Sequence, residues 1–234
     1  MDKITITIDG VEIEAKPGQT ILEAALAAGI YIPHLCYHSD LVPGGHCRVC
    51  TVEVNGKFTS ACTMPVQDGM IIRNNAEDIN RERRKIIEML FVEGNHFCPF
   101  CEKSGDCELQ ALAYRLGMLT PMLPYLYKQI EVDASHPDVY IDRNRCVLCG
   151  RCVRASRDID KKYVFGFENR GINKKIALNS MNGLGETNLS KDDKAASICP
   201  TGCIVVKRVG YSKPFGTRLY DKEPIGSDIE KKRK

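Results

Sequence analysis

The chain has 234 residues, of which 43% are hydrophobic, and a formal net charge of +3. This length allows one large domain or two to three small ones, and so mild a charge argues against a nucleic-acid or anionic-membrane surface. The start lacks the pattern of a signal peptide, and no apolar stretch approaches the roughly 20 residues that span a bilayer. Twelve cysteines in such a chain are more typical of metal sites than of disulfides, so we expect a soluble, cytoplasmic protein.

The first segment predicts a compact α+β module. "ITITI" and "VEIEA" alternate on either side of Asp9-Gly10, a favoured hairpin turn. "TILEAALAAG" offers Thr20 as a helix N-cap, Glu23 as its capping-box partner and Gly29 as the stop. A second hairpin around Asn55-Gly56 and the strand "MIIR" complete a mixed sheet with one covering helix.

After about Ala76 the pattern becomes helical. "RERRKIIEMLFVEG" places Ile87 and Phe91 on one face and charges on the other, and "CELQALAYRLGM" repeats that period. "TPMLPYLYK" has neither helical nor strand periodicity, which indicates a connector. From Val139 onward short elements return: "VYID", a cysteine loop, "YVFGF", "KIAL", a helix near "SKDDKAASIC" and "CIVVKRV". Residues 217–234 are expected to form an extended arm.

Four cysteines in the first segment have the spacing C-x(10)-C-x(2)-C-x(11)-C: Cys36, Cys47, Cys50 and Cys62. Four thiolates can hold zinc or two irons bridged by sulfide. The glycines before Cys47 would let backbone N–H groups turn toward cluster sulfides, and zinc ribbons more often use two C-x(2)-C pairs. We therefore predict a 2Fe–2S cluster, with zinc or unliganded thiols as the alternatives.

Three histidines flank these cysteines, so a mixed His/Cys cluster of Rieske type is an alternative. They are His34, His38 and His46. Cys36-Tyr37-His38 is half of such a motif, but neither Cys47 nor Cys50 is followed by a histidine three residues on. We assign these histidines no ligand role and expect them on loops or the surface.

The C-terminal cysteines match a 4Fe–4S motif. "CVLCGRC" and a distant Cys-Pro form the bacterial run that completes one cluster; its residues are Cys146, Cys149, Cys152 and Cys199. The two-cluster version has a further cysteine where this chain has Ser156, so only one cluster is expected here. Cys203 is left over, and it is either a small buried apolar residue or a ligand.

The middle set has only three cysteines, Cys98, Cys101 and Cys107, in a loop between two predicted helices. Cys203 is the spare thiol, but it lies almost a hundred residues on in the sequence. Imidazole is an acceptable iron or zinc ligand. His96, two residues before Cys98, is therefore the favoured fourth ligand of a 4Fe–4S cluster, and a structural loop histidine is the alternative.

This order of sites resembles a known family of iron–sulfur subunits. The N-terminal module resembles plant-type ferredoxins of β-grasp fold, and the succession resembles the N-terminal part of the large iron–sulfur subunit of respiratory complex I and of iron-only hydrogenases. The best match is the diaphorase iron–sulfur subunit (HoxU type) of bidirectional NAD-reducing nickel–iron hydrogenase, through "EGNHFCPFCEKSGDCELQ" and "KRVGYSKPFGTRLYD". In complex I the ligand histidine precedes the first cysteine by four positions. Here that position is Gly94, and the shorter spacing to His96 resembles the hydrogenase subunit.

The resemblance implies three domains: a β-grasp 2Fe–2S ferredoxin-like domain (1–76), a small helical His/Cys 4Fe–4S domain (77–133) and a ferredoxin-like domain with one 4Fe–4S cluster (134–216), before the arm. It implies electron transfer through one 2Fe–2S and two 4Fe–4S clusters. The implied partners are a flavin- and NAD-binding diaphorase subunit and a small hydrogenase subunit with a further cluster. An electron-bifurcating hydrogenase, an NAD-dependent formate dehydrogenase or a zinc-stabilised interaction module are the alternatives. We find no nucleophile–base constellation or phosphate loop, so no substrate-converting site is expected on this chain, and its enzymatic role would be that of an oxidoreductase subunit.

Overall fold

A five-stranded mixed sheet with one helix forms the first part of the chain in a computed structural model that describes residues 3–233. The strands are β1 (Ile4–Ile8), β2 (Val11–Ala15), β3 (Thr51–Val54), β4 (Lys57–Ser60) and β5 (Ile71–Arg73), in the order β2-β1-β5-β3-β4. β1 runs parallel to β5, and the other neighbours are antiparallel. The helix is α1 (Ile21–Ala27). The prediction of a mixed sheet with one helix is confirmed.

Local sequence signals account for these elements. Asp9 and Gly10 both have positive φ, as a tight hairpin turn requires. Thr20 caps α1: its hydroxyl accepts from the N–H of Glu23 at 3.2 Å, and the Glu23 carboxylate accepts from the N–H of Thr20 at 2.9 Å. The inward residues of the sheet and of α1 then form one hydrophobic core.

The middle of the chain is helical. α2 (Glu77–Val92) and α3 (Glu108–Arg115) are separated by the cysteine loop, which contains a 3₁₀ turn at Cys98–Phe100. Ile87 and Phe91 are buried, as the periodicity predicts. They pack with residues of α3 and with several of the cysteines in a second core.

The third part consists of two antiparallel strand pairs and two helices. β6 (Val139–Ile141) pairs with β9 (Ile204–Val206), and β7 (Phe165–Glu168) pairs with β8 (Lys175–Leu178). The helices are α4 (Arg151–Asp158) and α5 (Lys194–Ser197). The sequence reading treated the start of α4 as part of a cysteine loop, and it missed this helix. Gly150, at φ 68°, turns the chain directly from the loop into α4.

The C-terminal segment, expected to be an extended arm, contains a one-turn helix, α6 (Ser227–Glu230), and packs against the rest of the chain; Lys234 lies outside the described residues. Arg115 donates to the carbonyl of Ile225 at 2.8 Å and pairs with Glu230. Gly226, at φ +90°, lies so close to the Tyr31 ring that a Cβ there would be 2.3 Å from it. These non-local contacts bend a segment that has no strong local signal of its own.

All twelve cysteines lie within residues 3–233, and all are free thiols there. This agrees with the prediction against a disulfide framework. In the same residues, no helix combines the length and the apolar character that crossing a membrane requires.

Replacement of one buried arginine on α2 should destabilise the fold more than replacement of an exposed one. Arg83 is 1% exposed, and it donates to the carbonyls of Thr51 and Asn74 and to the side-chain oxygens of Asn74 and Asn80. Arg83→Met keeps the apolar stem but leaves these buried acceptors without a donor, so we expect the free energy of unfolding to fall by about 3 kcal/mol. Urea unfolding measures it. Arg81→Met, at an exposed position of the same helix, should change it by less than about 0.5 kcal/mol, and equal effects of the two substitutions would refute the assignment.

Candidate metal centres

The four cysteines of the first segment form a buried group at one end of the five-stranded sheet. All four lie on loops or turns, and the last is in the turn after β4: Cys36, Cys47, Cys50 and Cys62. The N–H of Cys36 donates to the sulfur of Cys47 at 3.3 Å. Hydrogen bonds from the Cys47 and Cys62 thiols lower the pKa of Cys36, and one from Cys62 lowers that of Cys50. The four sulfurs are therefore mutual neighbours, and they could hold one cluster as the spacing predicts.

The three histidines near this site have other surroundings. His34 Nδ1 lies 2.7 Å from the carbonyl of Ile32, and His38 Nδ1 accepts from the N–H of Asp40 at 3.2 Å. His46 is exposed. Burial lowers the pKa of all three imidazoles. All three lie on loops as expected, with His46 exposed and His34 and His38 half-buried.

The middle cysteines share an enclosed cavity with a histidine. His96, Cys98, Cys101 and Cys107 all line it, at the junction of the loop with α2 and α3. The Nε2 atom of His96 is buried and has no hydrogen-bond partner among the described residues. A buried polar atom without a partner is costly, so its position in a cavity that three cysteines also line fits a ligand better than a structural loop histidine.

The protonation state of His96 also suits a ligand. Burial lowers the pKa of His96 to about 4, and the carbonyl of Leu90 opposes this as a hydrogen-bond acceptor. Neutral imidazole is the form that binds a metal, so the lowered pKa agrees with a ligand role.

Gly94 explains the spacing of this histidine. A Cβ at position 94 would lie 2.6 Å from His96 Nε2 and 2.9 Å from the carbonyl oxygen of Asn144. The imidazole therefore occupies the space into which a side chain at position 94 would project.

The C-terminal cysteines line a second enclosed cavity. Cys146, Cys149, Cys152, Cys199 and Cys203 all contribute to it. The N–H of Leu148 donates to the sulfur of Cys146 at 3.4 Å, and the hydroxyl of Thr201 lies 3.6 Å from the sulfur of Cys199. Five thiols thus meet where the sequence motif requires four.

Cys199 and Cys203 are neighbours in this cavity. A hydrogen bond from the Cys203 thiol lowers the pKa of Cys199 to about 5. Hydrogen bonds with Cys146 and Cys199 raise the pKa of Cys203 well above its usual range. The pKa of Cys152, which the motif counts as a ligand, is raised as well, so the Cys-Pro motif, and not the pKa, favours Cys199 as the ligand. Cys203 is also buried in the hydrophobic core of the third part of the chain, so it is a core residue as well as a cavity-lining one.

Two buried arginines, which sequence reasoning did not single out, connect the sites. Arg151, in the "CGRC" run, forms a bidentate ion pair with Glu108 (2.6 Å each) and donates to the carbonyl of Tyr37 at 2.8 Å. Arg154 donates to the carbonyls of Cys36 and Cys149 at 2.5 and 3.3 Å. No signal in the sequence indicated them, because α4, the helix that buries both arginines, was itself not predicted.

The thiols line cavities and are not arranged around a single metal ion. Within residues 3–233, no three His, Cys, Asp or Glu side chains are arranged around a position for a single metal ion.

Family models match three consecutive parts of the chain. Residues 1–77 match a 2Fe-2S iron–sulfur cluster binding domain, residues 83–121 the iron–sulfur binding region of NADH-ubiquinone oxidoreductase G, and residues 139–206 a 4Fe-4S single cluster domain. The protein is therefore an iron–sulfur protein of mixed α and β structure with one 2Fe–2S and two 4Fe–4S clusters. This agrees with the cofactor prediction and removes the zinc alternative.

Similar proteins show to which family of iron–sulfur proteins the chain belongs. The chain is 38% identical over 225 residues, 95% of both sequences, to the gamma subunit of the NAD-reducing hydrogenase HoxS of Cupriavidus necator. It aligns with a crystal structure of NAD+-reducing NiFe hydrogenase in the H2-reduced state over 98% of both chains, with 48% identity and a TM-score of 0.94. It is also 32% identical to the mitochondrial NADH-ubiquinone oxidoreductase 78 kDa subunit of Candida albicans, over 92% of this chain but 29% of that one. The chain belongs to the family of the hydrogenase gamma subunit, as the resemblance implied.

The geometry of Ser156 predicts the effect of adding a sixth cysteine near the third site. The Ser156 side chain is buried, its hydroxyl accepts from the N–H of Val164 at 2.7 Å, and it is absent from the residues that line the cavity. Ser156→Cys should therefore leave the iron content unchanged, as should the control Ser156→Ala. Iron analysis of anaerobically purified protein checks this, and a gain of about four irons per chain would show that the motif can hold a second cluster.

Proposed function

We propose that this chain is an electron-transfer subunit that relays electrons between a flavin- and NAD-binding diaphorase subunit and a hydrogenase module, through one 2Fe–2S and two 4Fe–4S clusters. The observation that carries the proposal is the joining of three thiol sites by buried arginines within a single chain. The full-length likeness to the hydrogenase gamma subunit supports it. When bound, the clusters accept and release single electrons.

The proposed ligands follow the geometry of the three sites. Cys36, Cys47, Cys50 and Cys62 hold the 2Fe–2S cluster. The middle 4Fe–4S cluster is held by His96, Cys98, Cys101 and Cys107, and the third by Cys146, Cys149, Cys152 and Cys199. Cys203 lies beside Cys199 and is not assigned as a ligand.

The other residues of the chain bury and position these ligands. Except for Cys98, Cys101, Cys146 and Cys199, which are partly exposed, the ligand cysteines are nearly inaccessible to solvent. Burial limits access of water and oxidants to the sulfurs, and N–H groups such as those of Cys36 and Leu148 donate to sulfur. Ligand type, burial and N–H···S bonds are the means by which a protein tunes such centres.

We further propose the domain boundaries 1–76, 77–133 and 134–216, followed by a C-terminal segment, 217–234. The start of α2 at Glu77 supports the first boundary. A β-grasp form of the first domain, a His/Cys-ligated helical middle domain and a ferredoxin-like third domain agree with the elements described. The twelve free thiols support a reducing, cytoplasmic location.

The cofactor content tests the proposal directly. The full chain, produced and isolated anaerobically, should contain about ten irons with matching acid-labile sulfide, because it holds one two-iron and two four-iron clusters. Dithionite should bleach its visible absorption. Stoichiometric zinc without labile sulfide would contradict the proposal.

His96 provides the sharpest test of the ligand assignment. His96→Ala should make the middle cluster labile, with a loss of up to four irons and of one set of EPR signals, because only three ligands remain. Gly94→Ala should have a similar effect, since its methyl group would meet His96 Nε2.

Two control variants accompany these substitutions. His38→Ala removes a half-buried loop histidine beside the first site, and Gly166→Ala adds a methyl group where nothing lies within 4 Å. Both should retain all the iron. A parent-like EPR spectrum and iron content in His96→Ala would exclude His96 as a ligand.

A further inference from the structure

Arg145 is the cation that contacts a sulfur of the middle site. Its Nη1 lies 3.7 Å from the sulfur of Cys101, within hydrogen-bonding distance for sulfur. The same guanidinium lines the cavity that His96, Cys98, Cys101 and Cys107 enclose. Its side chain is 21% exposed, so solvent screens this contact only in part.

Three neighbours fix the orientation of this guanidinium. Nη1 donates to Glu102 at 2.9 Å, and Nε pairs with Asp142 at 2.9 Å. The Tyr140 hydroxyl donates to the other carboxylate oxygen of Glu102 and so holds that carboxylate in place. These contacts hold Nη1 beside the sulfur, where the Tyr140 hydroxyl and the Gly202 carbonyl, each at 3.5 Å, are its other acceptors.

Gly202 provides the space for the contact. A Cβ at this position would lie 2.8 Å from the Cys101 sulfur and 3.3 Å from Arg145 Nη1. Gly202 belongs to the loop that also carries Cys199 and Cys203. The close approach of sulfur and guanidinium thus depends on a residue without a side chain.

Electrostatics indicates in which direction this contact shifts the reduction potential of the middle cluster. Adding an electron to a cluster increases its negative charge, and a permanently charged donor at a ligand sulfur stabilises that charge. Loss of the guanidinium would also leave Glu102 and Asp142 without their common counter-ion. Both consequences disfavour the reduced state.

We propose that Arg145 is a positioning residue that donates to the Cys101 sulfur and raises the reduction potential of the middle cluster. The proposal rests on the ligand set proposed above. Since Arg145 directly precedes Cys146 but its guanidinium contacts Cys101, the effect falls on the middle cluster and separates its potential from that of the third.

The test is an EPR-monitored redox titration of the full chain, isolated anaerobically. The middle-site signal is the one that His96→Ala removes. In Arg145→Gln, the reduced-to-oxidised ratio of this signal at a fixed ambient potential should fall by roughly tenfold, or about 59 mV for a one-electron couple. The third-site signal should keep its potential.

Arg143→Gln is the matched control. It removes the same charge from the same 3₁₀ turn, but Arg143 donates through Nε to the carbonyl of Ile176. It should leave the middle potential as in the parent. Arg145→Lys keeps the charge without the planar fork and should give a smaller shift than Arg145→Gln.

Each outcome decides the matter. An unchanged middle potential in Arg145→Gln, with all irons retained, overturns the proposal, as does an equal shift in Arg143→Gln. If Arg145→Gln loses the cluster, Arg145→Lys decides, and parent-like titration of that variant overturns the proposal. A parent chain without a His96-dependent signal would instead mean that the ligand set, and not the role of Arg145, is wrong.

Discussion

The structure depends on one ion pair, between the buried Arg151 and the partly exposed Glu108. In the sequence, Arg151 stands between two cysteines of the third site, and Glu108 follows Cys107 of the middle site. Arg151 also donates to the carbonyl of Tyr37, which follows Cys36 of the first site. The arginine side chain is 3% exposed. A buried pair often adds little net stability compared with apolar residues of the same shape, but removing one partner costs several kcal/mol. Its value here is geometric, because a single guanidinium fixes three loops that are far apart in the sequence.

The arginines also decide which backbone groups face the sulfurs. Arg151 and Arg154 accept no hydrogen bonds and can only donate, so they bind the carbonyls of the cysteine loops: those of Cys36, Tyr37 and Cys149. When the carbonyl of a tight loop points toward an arginine, neighbouring N–H groups are free to turn inward. The N–H groups of Cys36 and Leu148 do so, and each donates to a cysteine sulfur. Donors directed at sulfur stabilise thiolates and clusters, so the same contacts that join the sites also prepare them for metal.

The sequence predicted those elements whose signals are local. The Asp9-Gly10 turn and the Thr20–Glu23 capping box need only neighbouring residues, and both are present as expected. Helix α4 was missed because its buried positions include Arg151 and Arg154, which hydrophobic periodicity counts as exposed. The packing of the C-terminal segment was missed because Arg115 and Tyr31, its partners, lie far away in the sequence. The cysteine spacing indicated the three sites, but the contacts between them are non-local and could be read only from the structure.

The number of possible ligands in the sequence does not tell where each one lies. His96 and Cys203 show the difference. A count of cysteines leaves the middle site one ligand short and Cys203 without a role. In the structure, the additional cysteine is not near the site that lacks one. Cys203 lines the cavity of the third site, and His96 lines that of the middle site. His96 reaches its cavity because Gly94 has no side chain in the space that the imidazole occupies, whereas Cys203 lies beside Cys199, to whose sulfur it can donate a hydrogen bond. A spare thiol near one cluster therefore does not compensate for a missing thiol at another, and the reach of each donor atom, more than the number of donors, determines which residues can be ligands.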